Sequence, residues 1–211
     1  MYLYVRRNRL TDLGTGLEWV ESVRARLEHL FGTPVSSWGN VYSAGAGSVS
    51  FSSWWSALSG LEEASAALRE DQEYRRILQD GRPFVEGQTD DALLRLTYGE
   101  VLPTPPRYVH IISARSAGGH LDSAIASGIE LAQKSEEIIG APSLFVRSLT
   151  GAFGSVAWLT GYDSMADFQT AVEKLLTGSS PWLYYRDQHH QAYDGSSMTL
   201  SLRERLSAGG P

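Results

Sequence analysis

The chain has 211 residues, 42% of them apolar and 20% charged, with 24 acidic against 18 basic side chains and no cysteine. This is the composition of a globular protein with a real core. A net charge of −6 argues against a nucleic-acid partner, the lack of an 18-residue apolar run argues against a membrane span, and the missing cysteines remove disulfide and thiol chemistry and favour the cytoplasm. The opening MYLYVRRNRL places its charges after its apolar residues, the reverse of a secretory leader. Sixteen of the 18 basic residues are Arg, and Ala and Gly are abundant, which points to a GC-rich bacterial genome.

Residues 2–9 alternate, Leu3 and Val5 against Tyr2, Tyr4 and Arg6, and predict a strand. Thr11 to Gly16 reads as a turn. Leu17, Val20, Val23, Leu27, Leu30 and Phe31 then recur at helical spacing until Gly32. Pro34 opens a second strand in which Trp38, Asn40 and Tyr42 share a face, and Ala44 to Gly47 reads as a hairpin turn. A third strand, Val49 to Trp54, leads into a helix expected to start at Ser59, with Glu62 completing a capping box, and to run to about Leu78 with a break near Asp71. Gly81 to Asp90 reads as a loop and Ala92 to Tyr98 as the fourth strand. After Leu102–Arg107, a stiff Pro-rich linker, the order repeats. Tyr108, His110 and Ile112 share a strand face, Leu121 to Ile139 is a helix closed by Gly140, Leu144–Thr150 and Val156–Thr160 are strands, Ser164–Leu176 is a helix, and Met198–Leu202 is the last strand.

The repeat is visible in the residues themselves. GSVSFSSWWSALSGLEEASAAL (Gly47–Leu68) returns without a gap as GSVAWLTGYDSMADFQTAVEKL (Gly154–Leu175), and the offset stays between 106 and 108 along the chain. Each half therefore reads βαββαβ, the ferredoxin-like α+β plan. The expected organisation is a first half at 1–101, a linker at 102–107, a second half at 108–205 and a flexible tail at 206–211. A sheet covered by helices on one side leaves its other face open, here expected to carry Tyr2, Tyr4, Tyr108 and His110. Packing the tandem repeats sheet to sheet, as an intramolecular dimeric α/β barrel, would bury those side chains.

With these features the sequence resembles the dimeric α/β-barrel superfamily over nearly its full length, as two copies fused in one chain. ALREDQEYRRIL (Ala67–Leu78) is similar to the second-helix region of antibiotic-biosynthesis-monooxygenase-like and NIPSNAP-like domains. The resemblance implies a ligand pocket in each half between sheet and helices, and chemistry ranging from cofactor-independent oxidation of aromatic polyketides to haem degradation. The haem-degrading members pair an Asn on the first strand, a Trp at the third and a His on the second helix. Asn8 and Trp54 or Trp55 occupy the first two places in half one, and Trp158 lies on the third strand of half two. Ala57–Leu78 and Ser164–Leu176 contain no His, and Ala114 stands where the second Asn would be. The expectation is accordingly no cofactor, haem being the one the resemblance raises, and no metal.

The densest collection of reactive side chains is PWLYYRDQHHQAY (Pro181–Tyr193), whose counterpart in half one, Tyr74–Glu86, has one Tyr and no His. His near neutral pH can act as acid, base or ligand. His189, His190, His110 and Tyr185 are therefore the candidate catalytic residues, and Trp38, Asn40, Trp54, Trp55, Trp158, Tyr162, Trp182 and Tyr184 the candidate ligand-binding ones. The adjacent Trp54 and Trp55 must face opposite ways on a strand. His29 and His120 are expected at the surface. The Ser-rich run Ser48–Ser59 lacks a GxSxG turn, and the glycines at 45, 47, 151 and 154 do not form GxGxxG ahead of a helix, so neither a hydrolase triad nor a nucleotide fold is expected.

Ten Tyr and six Trp in such a fold point to an enzyme or binding protein for a hydrophobic, aromatic small molecule, with monooxygenase-like chemistry. The alternative is a non-catalytic assembly or regulatory protein of the same fold that pairs with a second copy as a homodimer. RNA binding, the third reading of a βαββαβ chain, is opposed by SVSFSSW on the third strand, which lacks the basic residue and paired aromatics of an RNA-recognition motif.

Overall fold

The fold, a computed structural model, describes residues 1–42, 47–177, 187–188 and 190–206. The elements given by the described residues run in the order β1 (Tyr2–Leu10), α1 (Leu13–Phe31), β2 (Val35–Val41), β3 (Ser48–Trp55), α2 (Leu58–Glu70), α3 (Gln72–Asp80), β4 (Val85–Tyr98), β5 (Tyr108–Ser116), α4 (Leu121–Ile139), β6 (Ser143–Ser148), β7 (Ser155–Tyr162), α5 (Met165–Leu176) and β8 (Tyr193–Arg205). Apart from α3, each element of the first series has a counterpart beginning 106 to 108 residues later. The chain has the ferredoxin-like α+β fold.

Two compact units form, one from Met1–Leu93 with the chain from Glu204, the other from Leu94–Arg203. In the first, β1 and β2 flank β3 antiparallel, with Tyr4 opposite Ser53 and Ser37 opposite Phe51. Leu206 extends this sheet through its N–H to the Ser37 carbonyl, at 2.8 Å. In the second unit β5 and β6 flank β7 in the same way, His110 opposite Thr160 and Phe145 opposite Trp158, and β4 from Leu94 onward pairs with β6.

Local chemistry sets the helix ends. Asp12 caps α1 by accepting from the Gly14 N–H at 2.9 Å, so the helix begins within the stretch expected as a turn. Gly32 and Gly140 end α1 and α4 in the left-handed conformation, at φ 61° and 75°, which only glycine adopts without strain. The expected capping box at Ser59 does not form: α2 starts at Leu58 and Ala57 precedes it without a side-chain cap. The break at Asp71 is real, because its carboxylate caps α3 through the Tyr74 N–H and is also held by Arg26 of α1. Ser164 caps α5 through the Asp167 N–H at 3.1 Å.

β4 and β8 extend furthest beyond the sequence pattern. β4 begins at Val85, within the stretch read as a loop, and β8 covers Tyr193–Arg205 where only Met198–Leu202 was expected. In β4 the cause is charge on charge across strands. Arg6 grips Asp91 with two bonds of 2.9 and 2.8 Å, Arg7 meets Asp90 at 3.2 Å and Arg9 meets Glu86 at 3.2 Å. Between them the Thr89 hydroxyl donates to Asn8 at 2.8 Å.

Each unit buries its own core between sheet and helices. In the first, Val20, Val23 and Leu27 of α1 pack with Phe51, Val49, Trp55 and Leu10, and Trp19 Nε1 donates to the Ile77 carbonyl of α3 at 2.8 Å. In the second, Phe145, Val156, Trp158 and Tyr193 pack on Ala124, Leu131 and Ala132 of α4. Gly128 is the closest point of that packing, since a Cβ there would lie 2.2 Å from the Phe145 ring. Ala normally stabilises a helix interior over Gly by about 1 kcal/mol, whereas overpacking a core costs roughly 1–3 kcal/mol. Gly128→Ala is expected to destabilise the protein by a net ~0–2 kcal/mol, read from denaturant unfolding; a stabilised variant would refute the packing argument.

Candidate functional site

The helix-covered face of β1 carries Tyr2, Tyr4, Arg6, Asn8 and Leu10, of which Tyr2, Tyr4 and Leu10 pack in the first unit's core. Tyr4 stacks edge-on to Phe31 at the end of α1, with ring centroids 6.3 Å apart. His110, at the matching register on β5, stacks edge-on to Phe168 of α5 at 5.4 Å. Both side chains thus look toward the helices of their own unit and not away from them, which corrects the expectation that they occupy the open sheet face. The reason is parity along the strand: Leu3 and Val5 take the other side.

Although the two positions are equivalent, their surroundings differ. Around Tyr4 every polar group is committed. Arg6 holds Asp91, donates to the Tyr74 hydroxyl at 2.9 Å and stands 6.0 Å from the Tyr4 ring centre. Burial alone would raise the Asp91 pKa, but the Arg6 guanidinium bonded to it keeps the carboxyl below its ordinary range. Burial pushes the Tyr4 and Tyr74 phenols up. Around His110 this network is missing, because Ile112 takes the place of Arg6. The His110 imidazole is half-buried and, among the described residues, makes no hydrogen bond or ion pair. Burial lowers its pKa, so the ring is neutral at physiological pH.

Hydroxyls and aromatic rings surround it. Tyr162, at the end of β7, packs on the same Phe168 ring at 5.5 Å, so Phe168 bridges His110 and Tyr162. The Tyr162 phenol is pushed up to about 12 by burial and is a proton donor at neutral pH. Thr160, directly across from His110, is buried and lies 3.4 Å from the buried Ser143 hydroxyl. A neutral base, a protonated phenol and two hydroxyls therefore share one face beneath α5. Such a set can accept a proton from a bound molecule and donate hydrogen bonds to a carbonyl.

The other sequence candidates fall elsewhere. Trp158 is core: its Nε1 donates to the Gly128 carbonyl at 2.8 Å and its ring packs on Phe145 and Tyr193. Trp55 is core in the first unit, bonded to Ser53 Oγ and stacked on Phe31. Trp38, bonded to Ser52 Oγ at 2.9 Å, lies with Asn40 and Trp54 on the strand face opposite to Phe51 and Trp55. Tyr42 leaves that face: β2 ends at Val41, and Tyr42 is 91% exposed with φ 49°. Trp182, Tyr184, Tyr185 and His189 lie outside the described residues, as does the side chain of His190, which opens the short 3-10 turn His190–Ala192. Arg6, Tyr74 and Asp91 were not singled out as a cluster. Arg6 sharing the Tyr2–Tyr4 face is the available signal, but Asp91 falls between the stretch that reads as a loop and the one that reads as a strand, so nothing in the pattern pairs it with Arg6.

The haem-degrading arrangement does not fit these residues. Asn8 accepts from Thr89, Trp55 Nε1 is taken by Ser53, and neither α2 nor α3 contains a histidine. Among the described residues, no group of three His, Asp or Glu side chains could hold a metal ion, and no helix is long and apolar enough to cross a membrane.

No protein-family model matches the chain, and no curated protein matches it by sequence. Solved structures do. A protein of Fusobacterium nucleatum named "Putative monooxygenase" aligns at a TM-score of 0.70 and 9% identity, over 100% of this chain and 95% of its own. An anthrone oxidase-like protein aligns at 0.70 and 9%, over 98% and 91%. A chlorite dismutase from Candidatus Nitrospira defluvii aligns at 0.50 and 15%, over 97% and 91%. At these identities what is shared is the fold.

Proposed function

We propose that the protein binds a hydrophobic aromatic small molecule and oxidises it with O2 without a cofactor, using the His110 face of the second unit. The observation that carries this reading is the neutral imidazole of His110, without a hydrogen-bond partner among the described residues, at the register position where the first unit has a fully engaged tyrosine. The fold shared with a protein named as a monooxygenase and another named anthrone oxidase-like supports it.

On this proposal His110 removes a proton from an activated ring CH2 or phenol, and Tyr162 and Thr160 hydrogen-bond the developing enolate oxygen. The electron-rich carbanion then reacts with O2. One oxygen atom replaces the two hydrogens of the CH2 to give C=O, and the other leaves with both hydrogens as water. The bulk of the binding energy comes from aromatic contact with Phe168. The repeated βαββαβ order comes from duplication of an ancestral unit of about half the chain, after which one copy kept a base and the other a structural network. The domain limits 1–101 and 108–205 and homodimer formation belong to the same proposal, and solution mass checks the last: a value near twice 23.2 kDa is expected.

Incubation with anthrone in oxygenated buffer tests the chemistry, with quinone absorbance and O2 uptake as readouts. His110→Gln is expected to lower turnover about 100-fold or more, within the range for losing a general base. A variant as active as the parent, or a parent that neither binds nor converts the aromatic probe, would overturn the proposal.

The same imidazole makes a pH prediction with a definite sign. Its folded-state pKa is depressed, so as pH falls the unfolded chain takes up the proton first. Stability should therefore decline from about pH 6.5 downward. His110→Gln should flatten the fall in Tm between pH 7.5 and 5.5; an unchanged slope would place the titration elsewhere.

A further inference from the structure

The strand β4 pairs arginine with acid along its first half, since Glu86, Asp90 and Asp91 meet Arg9, Arg7 and Arg6. Further along, the opposite occurs. Arg95 of β4 lies directly across from Arg147 of β6, two like charges at one register position. Opposed like charges destabilise a sheet. Neither guanidinium has a hydrogen bond or ion pair among the described residues, whereas Arg6, Arg7, Arg9, Arg24, Arg26 and Arg76 all have carboxylate partners.

The pair sits in a groove of about 250 Å³ within the second unit, lined by Arg95, Leu96, Thr97, Arg147 and Ile125 of α4. No carboxylate lines it. Arg147 shares the strand face of Phe145, whose ring packs on Gly128 of α4, so the groove opens between sheet and helix. Ile125 supplies an apolar wall beside two planar cations and the Thr97 hydroxyl, while Leu96, paired with the buried Val146, lines the groove from the strand and turns its side chain to the other face. This is the chemistry that receives an oxyanion in two-pronged hydrogen bonds while an attached apolar group is buried. The volume is just below the usual range for drug-sized ligands and suits a single ring.

We propose that this groove binds a small organic anion, a carboxylate or phosphate carried on one apolar ring, between Arg95 and Arg147. The pairing of like charges is explained by the ligand, whose negative charge offsets the repulsion. The site is separate from His110 and does not depend on the oxidation proposed for that residue.

Thermal unfolding of the full chain with benzoate, with phenyl phosphate and with neutral benzyl alcohol, at constant ionic strength, tests the proposal. Either anion near 100 times its Kd should raise Tm by at least about 5 °C while benzyl alcohol does not, and the more effective anion identifies the head group. The rise should vanish in the Arg95→Gln/Arg147→Gln double variant, shrink in Arg147→Lys, which keeps the charge but loses the planar fork, and persist in His110→Gln. Should the double variant fail to fold, Arg95→Gln alone serves, because Arg95 is exposed. Equal anion shifts in parent and Gln variants, or no shift with either anion, would overturn the proposal.

Discussion

The ladder of opposite charges between β1 and β4 is the constraint on which the first unit depends. Exposed ion pairs such as Arg7–Asp90 and Arg9–Glu86 are each worth only about 0.2–1 kcal/mol. Their effect is on register: a slip of one residue would set Arg against the wrong neighbour and turn Leu10 and Asn8 to the other face. The half-buried Arg6 fork on Asp91 is the stronger element, and it reaches Tyr74 as well. Through that contact the strand pairing also orients α3, whose Tyr74 and Ile77 close the core over Trp19.

The two units apply one plan to different ends. Strand order, helix positions and the aromatic at the end of the third strand are common to both, Trp55 in one and Tyr162 in the other. Where the first unit spends its polar groups on each other, the second has Ile112 in place of Arg6, and among the described residues His110 makes no hydrogen bond. An imidazole half-buried among aromatic rings has its charged form disfavoured. Such groups tend to mark the place where a protein has given up stability for binding or chemistry. The opposed Arg95 and Arg147 are the same kind of exception in electrostatic form.

Much of this was legible in the residues. Helical spacing located α1, α4 and α5, the glycines at 32 and 140 marked two helix ends, Asp71 marked a break, and the recurrence of Gly47–Leu68 gave the element order of both units. His110 could be named because histidine is scarce and its strand alternates clearly. Less legible were segments whose structure comes from a distant partner. The acidic first half of β4 has the composition of a loop, and its partners Arg6, Arg7, Asn8 and Arg9, some 80 residues earlier, hold it as a strand.

Periodicity and capping are short-range properties, and for that reason the order and type of the elements could be derived from the sequence alone. Alternation along β1 and β5 separated two sets of side chains but could not say which set met the helices. Tyr4 and His110 were assigned to the wrong face because both sets contain apolar residues. Tertiary contact with Phe31 and Phe168 decided it, as it decided the opposition of Arg95 to Arg147. Facing and pairing belong to two segments at once, and neither segment encodes them by itself.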